Sequence, residues 1–401
     1  MSPDRQHVRY VSIFGVVAAV VLLPVLALNY TLGVRSLGGG DAAVQASQWQ
    51  QATRGVTYAP PLSDSRPFKS ARLFDRLPEI NTVVFGSSTA MGITQGMFPA
   101  GMTLYNFAQT GNELPMVIGE AEFLQRLHPG TLKWFVIPLD WSLGFLYRPP
   151  GAPGQVAVAP PAVDAPAQRA TVPLLQQLQD ALSLPRVKNL LGIATRIAHA
   201  ESPGAAFREI FLEGAGAEYR CADGAPARDF DTIFRGTCTG FRYDGSATFG
   251  NLEPVAARRV DALIASAVVP SSKYAVEIIK TAGEPNPLVL ERLATLARSM
   301  RQAGGSLVLF LPPLLPGMER AFLSSPHTAA QLQRTKQILD AWARAHDLII
   351  IDGGQSERYG CVAHEFVDEH HALPECYTRI FTRFWNDRRA RARPGLWTGE
   401  Q

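Results

Sequence analysis

The chain has 401 residues, of which 46% are hydrophobic and 18% charged, and a formal net charge of +3. That length holds one substantial core with insertions or two modest domains, and the apolar content excludes a disordered chain. The small charge excess, with no dense Lys/Arg stripe in the interior, excludes nucleic-acid binding as the main role.

The first element is a long apolar run. Val11 to Val34 carries no charged residue and is long enough to cross a bilayer as one helix, with Pro24 tolerated inside it. Arg5 and Arg9 precede the run, so residues 1–10 are expected to stay cytoplasmic and the rest to lie outside. A cleaved signal peptide is the rival expectation. Its apolar region is usually shorter and ends in a small-x-small site, for which Ala27-Leu-Asn29 is poor, so the pattern favours an uncleaved anchor over 11–34. Abundant arginine and alanine hint at a GC-rich bacterial genome. The expected location is a bacterial inner membrane, crossed once, with the remaining chain periplasmic.

Export changes how the four cysteines read. In an oxidising compartment they are expected to form disulfides, and the two local pairings, Cys221–Cys238 and Cys361–Cys376, are the simplest of three. Their spacings match no zinc pattern.

Residues 35–80 read as a juxtamembrane linker and lead-in, flexible at Leu37-Gly-Gly-Gly-Asp41 and extended at Tyr58-Ala-Pro-Pro-Leu62. Val83, Val84 and Phe85 then predict a buried strand. Further strands are predicted over 103–108, 132–139, 306–311 and 348–352, and helices over 113–127, 288–303, 327–346 and 374–389. Residues 143–285 interrupt this alternation as one long insertion: Pro/Ala-rich and extended over 147–173, partly helical over 172–200 and 252–280, and a candidate acceptor-binding subdomain. Strands separated by helices imply right-handed crossovers and a parallel three-layer sheet over 81–142 and 286–389, followed by a tail at 390–401.

Two stretches carry candidate chemistry. In Gly86-Ser-Ser-Thr-Ala-Met-Gly92 a strand ends in a tight turn, at the sheet edge where ligands bind in open parallel sheets. A serine there is either a turn cap or a nucleophile beside backbone N–H groups. In Phe366-Val-Asp-Glu-His-His371 a carboxylate precedes an imidazole by three residues, so Asp368 can orient His371. Together these supply a hydroxyl, a base and an orienting carboxylate. His370 is the alternative base, with Asp368 then capping the last helix; spacing favours His371.

With these motifs the chain resembles the SGNH (GDSL-like) hydrolase superfamily, whose fold is a flavodoxin-like α/β/α sandwich. Gly86-Ser87-Ser88 resembles its first block, which implies that Ser88 is the nucleophile. Tyr105-Asn-Phe-Ala-Gln-Thr-Gly111 resembles the second block, whose glycine N–H helps form the oxyanion hole. Asp368-Glu-His-His371 resembles the final Asp-x-x-His. Ser87 replaces the usual first-block aspartate. The third block's Gly-x-Asn-Asp is absent: the corresponding strand ends Pro138-Leu-Asp-Trp141, and Asn112 is the substitute donor that adjoins Gly111.

An N-terminal anchor with a degenerate third block is similar to the membrane-anchored polysaccharide O-acetyltransferase branch, which includes alginate acetylation proteins. That likeness implies serine-dependent acyl transfer to, or removal from, an envelope or secreted polysaccharide. It also implies an acyl donor, a membrane-bound O-acyltransferase partner and no cofactor. The different-class alternative is a non-catalytic scaffold that binds glycan or an export complex.

Other residues read more plainly. His364-Glu-Phe-Val-Asp368 has Asp where a zincin helix needs its second His, so no metal is expected. Asp140 and Trp141 close a strand and either line the site or support its loop. Asp352 reads as a loop-capping carboxylate, and the basic run Arg388 to Arg393 as a solvated helix end.

Overall fold

The computed structural model describes residues 3–33, 42–57, 65–140, 144–146, 194–195, 197–206, 219–221, 223–228, 238, 240–249, 252–281, 283–387 and 393–399. Trp141, the Pro/Ala-rich stretch 147–173, most of 172–200 and the basic residues 388–392 lie outside them. The chain divides into two compact units, Met1–Ala71 with Asp164–Tyr243, and Arg72–Val163 with Asp244–Gln401. The stretch expected to be one insertion therefore contributes to both.

In the first unit one helix runs Pro3–Gly33, with Pro24 inside it. At ~1.5 Å rise per residue it exceeds the ~30 Å of a bilayer's hydrocarbon core. Its window His7–Pro24 is apolar enough to cross a membrane and is unburied. Val11, Phe14, Val17 and Val21 stand exposed along it. A three-stranded sheet orders Val56–Thr57, Pro226–Arg228 and Tyr219–Arg220, and a disulfide joins Cys221 to Cys238 beside it. Helices Ala42–Thr53 and Ser65–Arg76 form within the expected linker. In the second, which runs past the unit's end at Ala71, Lys69 is buried over the Phe241 ring, 4.5 Å from its centroid.

The second unit holds an all-parallel sheet of six strands. In chain order these are β1 (Thr82–Val84), β2 (Leu104–Asn106), β3 (Trp134–Pro138), β4 (Ser306–Leu311), β5 (Ile349–Asp352) and β6 (Gly395–Trp397). Their spatial order is 2-1-3-4-5-6. β1 pairs with β2 on one side and β3 on the other, so the order reverses beside it, and ligands bind at the carboxyl ends at such a reversal.

The helices of this unit are α1 (Leu114–Leu127), α2 (Val260–Val268), α3 (Lys273–Lys280), α4 (Pro287–Gln302), α5 (Met318–Ser324), α6 (Ala329–Ala345) and α7 (Pro374–Asn386). Proline starts α4 and α7, where its missing N–H costs nothing. The stretch Ala257–Lys280 is also apolar enough to cross a membrane, but Val269 to Ser272 break it into α2 and α3 and Ser272 caps α3.

β1 to β4 are mostly apolar and almost fully buried, as strands covered on both faces should be. Phe85 meets Phe135 edge-on at 5.0 Å, and Phe310 meets Phe381 of α7 at 5.7 Å. That second contact seats α7 against β4, which fixes the segment leading into it.

Candidate active site

The serine turn is built by crowding. After β1, Gly86 takes φ +136, and a Cβ there would lie 2.5 Å from Pro138 Cγ at the end of β3. Only glycine combines that backbone with that approach. Ser87 then caps a short 3₁₀ turn, Ser88–Ala90. Ser87 Oγ accepts from Thr89 N at 3.3 Å, and the Ser87 and Thr89 hydroxyls each donate to Asp140 Oδ2 at 3.1 Å. Asn106, at the end of β2, donates through Nδ2 to Ala90 O and Ile93 O, both at 2.8 Å, and holds the far side of the turn. The two candidate roles for serine thus divide. Ser87 caps the turn and Ser88 is left half-buried at its surface.

The Asp368–His371 segment is equally constrained. An isolated bridge pairs Phe366 with Ala372, and Val367 N donates to His371 O at 3.0 Å, closing a tight loop over 367–371. Asp368 Oδ1 accepts from the backbone N–H groups of His370 at 2.9 Å and His371 at 2.8 Å. Its other oxygen, Oδ2, lies 2.6 Å from His371 Nδ1. The Cys361–Cys376 disulfide brackets the segment. Leu315 N donates to Glu369 O at 2.9 Å, and the Tyr377 hydroxyl donates to Thr89 O, tying α7 to the serine turn.

These two constructions meet. Ser88 Oγ lies 2.8 Å from His371 Nε2. With Nδ1–H held by Asp368, His371 presents the unprotonated Nε2 to the serine hydroxyl, the tautomer that accepts its proton. Burial alone would raise the Asp368 pKa. The hydrogen bond from His371 and the charges of His370 and His371 outweigh it and hold the carboxyl well below the usual range.

Tyr274, from α3, escaped sequence reading because it sits in the stretch taken as an insertion. Its hydroxyl hydrogen-bonds with His370 Nδ1, which also lies 3.3 Å from Asp368 Oδ1, and the His370 and His371 rings lie 4.0 Å apart. Burial and the nearby Glu369 and Asp368 charges push the phenol pKa up, so it stays a donor. Burial and the neighbouring His371 push the His370 pKa down. Through His370, Tyr274 ties α3 to the loop that holds Asp368 and His371. Asp368, His370 and His371 also lie close enough together to ligate a cation, their ligand atoms within 4.8 Å of one another. In this arrangement His370 Nδ1 already bonds Tyr274, His371 Nε2 bonds Ser88, and His371 Nδ1 bonds Asp368.

The expected oxyanion donors separate. Gly111 turns at φ +68 in an exposed loop after β2, and among the described residues neither its N–H nor that of Ser88 has a hydrogen-bond partner. Asn112 is buried and donates through Nδ2 to Glu120 Oε2 at 2.9 Å, which commits that amide to α1. Gln109 stands closer to the turn: its N–H donates to Gly86 O at 2.9 Å. Its buried side-chain amide has no partner among the described residues. Asp140 supports the turn and also lines an adjoining pocket.

Asp352 accepts from Gly354 N at 3.2 Å, as a loop cap does, and from Lys336 Nζ at 2.7 Å. Among family models, curated proteins and solved structures, none matches this chain.

Proposed function

We propose that the chain is an SGNH-like serine acyltransferase or esterase that acts on a cell-envelope or secreted polysaccharide. The single observation that carries this is the unbroken Ser88–His371–Asp368 hydrogen-bond relay. Ser88 Oγ attacks an acyl carbonyl carbon while its proton passes to His371 Nε2. The C–O bond to the donor's leaving oxygen then breaks, and His371 returns the proton to that oxygen. In the second half a sugar hydroxyl, or water in an esterase, attacks the acyl-Ser88 ester. It loses its proton to His371, and Ser88 Oγ leaves and takes that proton back. Asp368 stabilises the imidazolium formed in each half.

The Ser88 and Gly111 N–H groups are proposed to hold the oxyanion. With the third-block asparagine missing, the unpartnered amide of Gln109 is the proposed third donor. One such donor contributes about 3 kcal/mol of transition-state stabilisation.

The strand order 2-1-3-4-5-6 supports a three-layer flavodoxin-like assignment and agrees with the SGNH resemblance. The apolar N-terminal helix and two disulfides support a single-pass inner-membrane anchor with a periplasmic domain. A membrane-bound O-acyltransferase partner delivering the acyl group follows from the resemblance alone.

The test uses the full chain in detergent with an activated acetyl ester, with and without added glycan. Acetyl-Ser88 forming and passing to glycan is the expected outcome for a transferase, and acetate alone for an esterase. No acyl adduct at Ser88, with a Ser88→Ala protein indistinguishable from the parent, would remove the enzyme and leave the scaffold.

A further inference from the structure

Among the described residues, three that are not glycine take a positive φ: Arg54 at 52, Phe249 at 54 and Asp347 at 53. Arg54 and Asp347 each follow the end of a helix, Ala42–Thr53 and α6, where a left-handed residue caps the last turn. Phe249 follows no helix. A bulky residue is disfavoured in that conformation, which glycine adopts freely. It persists only where its surroundings hold it, and such residues gather at active sites and ligand clamps. Two backbone bonds bracket Phe249, one to each half of the site. Before it, Ala247 N donates to Met91 O at 2.8 Å, on the chain that continues the serine turn. Beyond it, Val255 N donates to Phe366 O at 2.7 Å, and Phe366 is the residue whose bridge to Ala372 closes the Asp368–His371 loop.

The ring itself meets the two halves where they touch. A Cβ on Gly92 would lie 3.0 Å from Ala372 O, the carbonyl of the residue after His371, and 3.4 Å from Phe249 Cε2. One edge of the ring thus rests on that junction, while Phe249 as a whole is only half-buried. We propose that Phe249 is a stacking platform for a sugar ring of the polysaccharide, and that the chain it selects is of the β-1,4-linked glucopyranose type. The inference rests on the serine and polysaccharide reading above and deepens it. A flat apolar ring offers no hydrogen bond, so it favours a sugar face made of C–H groups whose hydroxyls stay at the rim in water. A pyranose with every substituent equatorial has such a face on both sides, and an axial hydroxyl interrupts one of them. Equatorial β-1,4 linkages keep successive rings flat, so the neighbours of a ring seated on Phe249 can extend over the junction.

The experiment follows fluorophosphonate labelling of Ser88 in the full chain, in a detergent without a sugar headgroup, against rising cellohexaose. The oligosaccharide should slow labelling, and the concentration that halves the rate reports its binding. Phe249→Leu keeps an apolar contact on Gly92 but removes the flat face, and should raise that concentration about tenfold. Phe249→Tyr keeps the face and should bind as the parent does. If the leucine variant does not fold, Phe249→Asn removes the ring with a residue that accepts positive φ, and the same rise is expected. Labelling that cellohexaose does not slow overturns the platform and leaves the serine reading standing. So does equal protection in the parent and the ringless variants, which would reduce the ring to packing on Gly92, or a tyrosine variant that binds as poorly as leucine. If Ser88 takes no label at all, the serine reading fails and takes the platform with it.

Discussion

Ser88 Oγ and His371 Nε2 stand 2.8 Å apart although 283 positions separate them in the chain. Each is fixed by its own local device. The Gly86 approach and the Ser87 cap hold the serine, and a carboxylate-closed loop inside a disulfide bracket holds the imidazole. Because the two devices share few residues, they can be disabled separately, and the expected consequences differ.

The adjacent serines should separate cleanly. Ser88→Ala should cut ester turnover by about 10³-fold or more, since the remaining groups of a triad retain little chemistry without the nucleophile. Ser87→Ala removes one buried hydrogen bond to Asp140 and should cost about 1 kcal/mol of stability while Ser88 still labels. Denaturant melts and active-site titration of both variants check this.

His371 and His370 should not be interchangeable. His371→Ala removes the group facing Ser88 and should lower kcat by about 10³-fold. Tyr274→Phe, which only frees His370, should cost less than about tenfold, and its mark should be a displaced acid limb in the pH–rate profile. An unmoved profile with a uniform loss of activity would reduce Tyr274 to packing.

Asp368 carries a pH signature. Its carboxyl pKa is lower in the folded protein than in the unfolded chain, so ionisation favours folding. That contribution is complete above the unfolded value of about 3.9 and is lost as pH falls through the folded value. Asp368→Asn should therefore flatten the stability-versus-pH curve below about pH 4. It should also lower kcat by about 10⁴-fold, because the wrong imidazole tautomer then faces Ser88. Thermal melts and turnover measured across the acid range test both effects.

The Cys361–Cys376 link closes a segment with a sequence separation of 15 and holds the Asp368 loop within it. Replacing both cysteines by serine should cost about 3 kcal/mol on loop-entropy grounds. Labelling of Ser88 should slow even below the melting transition, as the loop samples other conformations. Rates that match the parent at low temperature would make the bond a stabiliser only.

Much of this was legible in the sequence where the signal was local and apolar. The runs around Val83, Phe135, Leu309 and Ile350 announced their strands, and Pro374 marked the start of α7 within a residue. Gly395–Trp397 went unseen as a sixth strand: three residues behind a basic run carry no readable period, and only pairing with β5 makes them a strand. The helix Ser65–Arg76 went unseen because Lys69 and Arg72 occupy buried positions that a polarity pattern assigns to solvent.

At the site, the Asp368–His371 pair was readable from spacing, and Ser88 was singled out by the resemblance of Gly86-Ser87-Ser88 to an SGNH first block. Asn106, Tyr274 and Gln109 were not, because each acts through contacts distant in sequence or, for Gln109, through a missing one. Asn112, the amide that adjacency to Gly111 favoured, faces Glu120 instead.

The most direct measurement is fluorophosphonate labelling of the full chain in detergent, with the adduct mapped by peptide mass. A single adduct on Ser88, lost in Ser88→Ala and strongly slowed in His371→Ala, is the predicted result. No adduct, or one that persists when Ser88 is replaced, would contradict a nucleophilic Ser88.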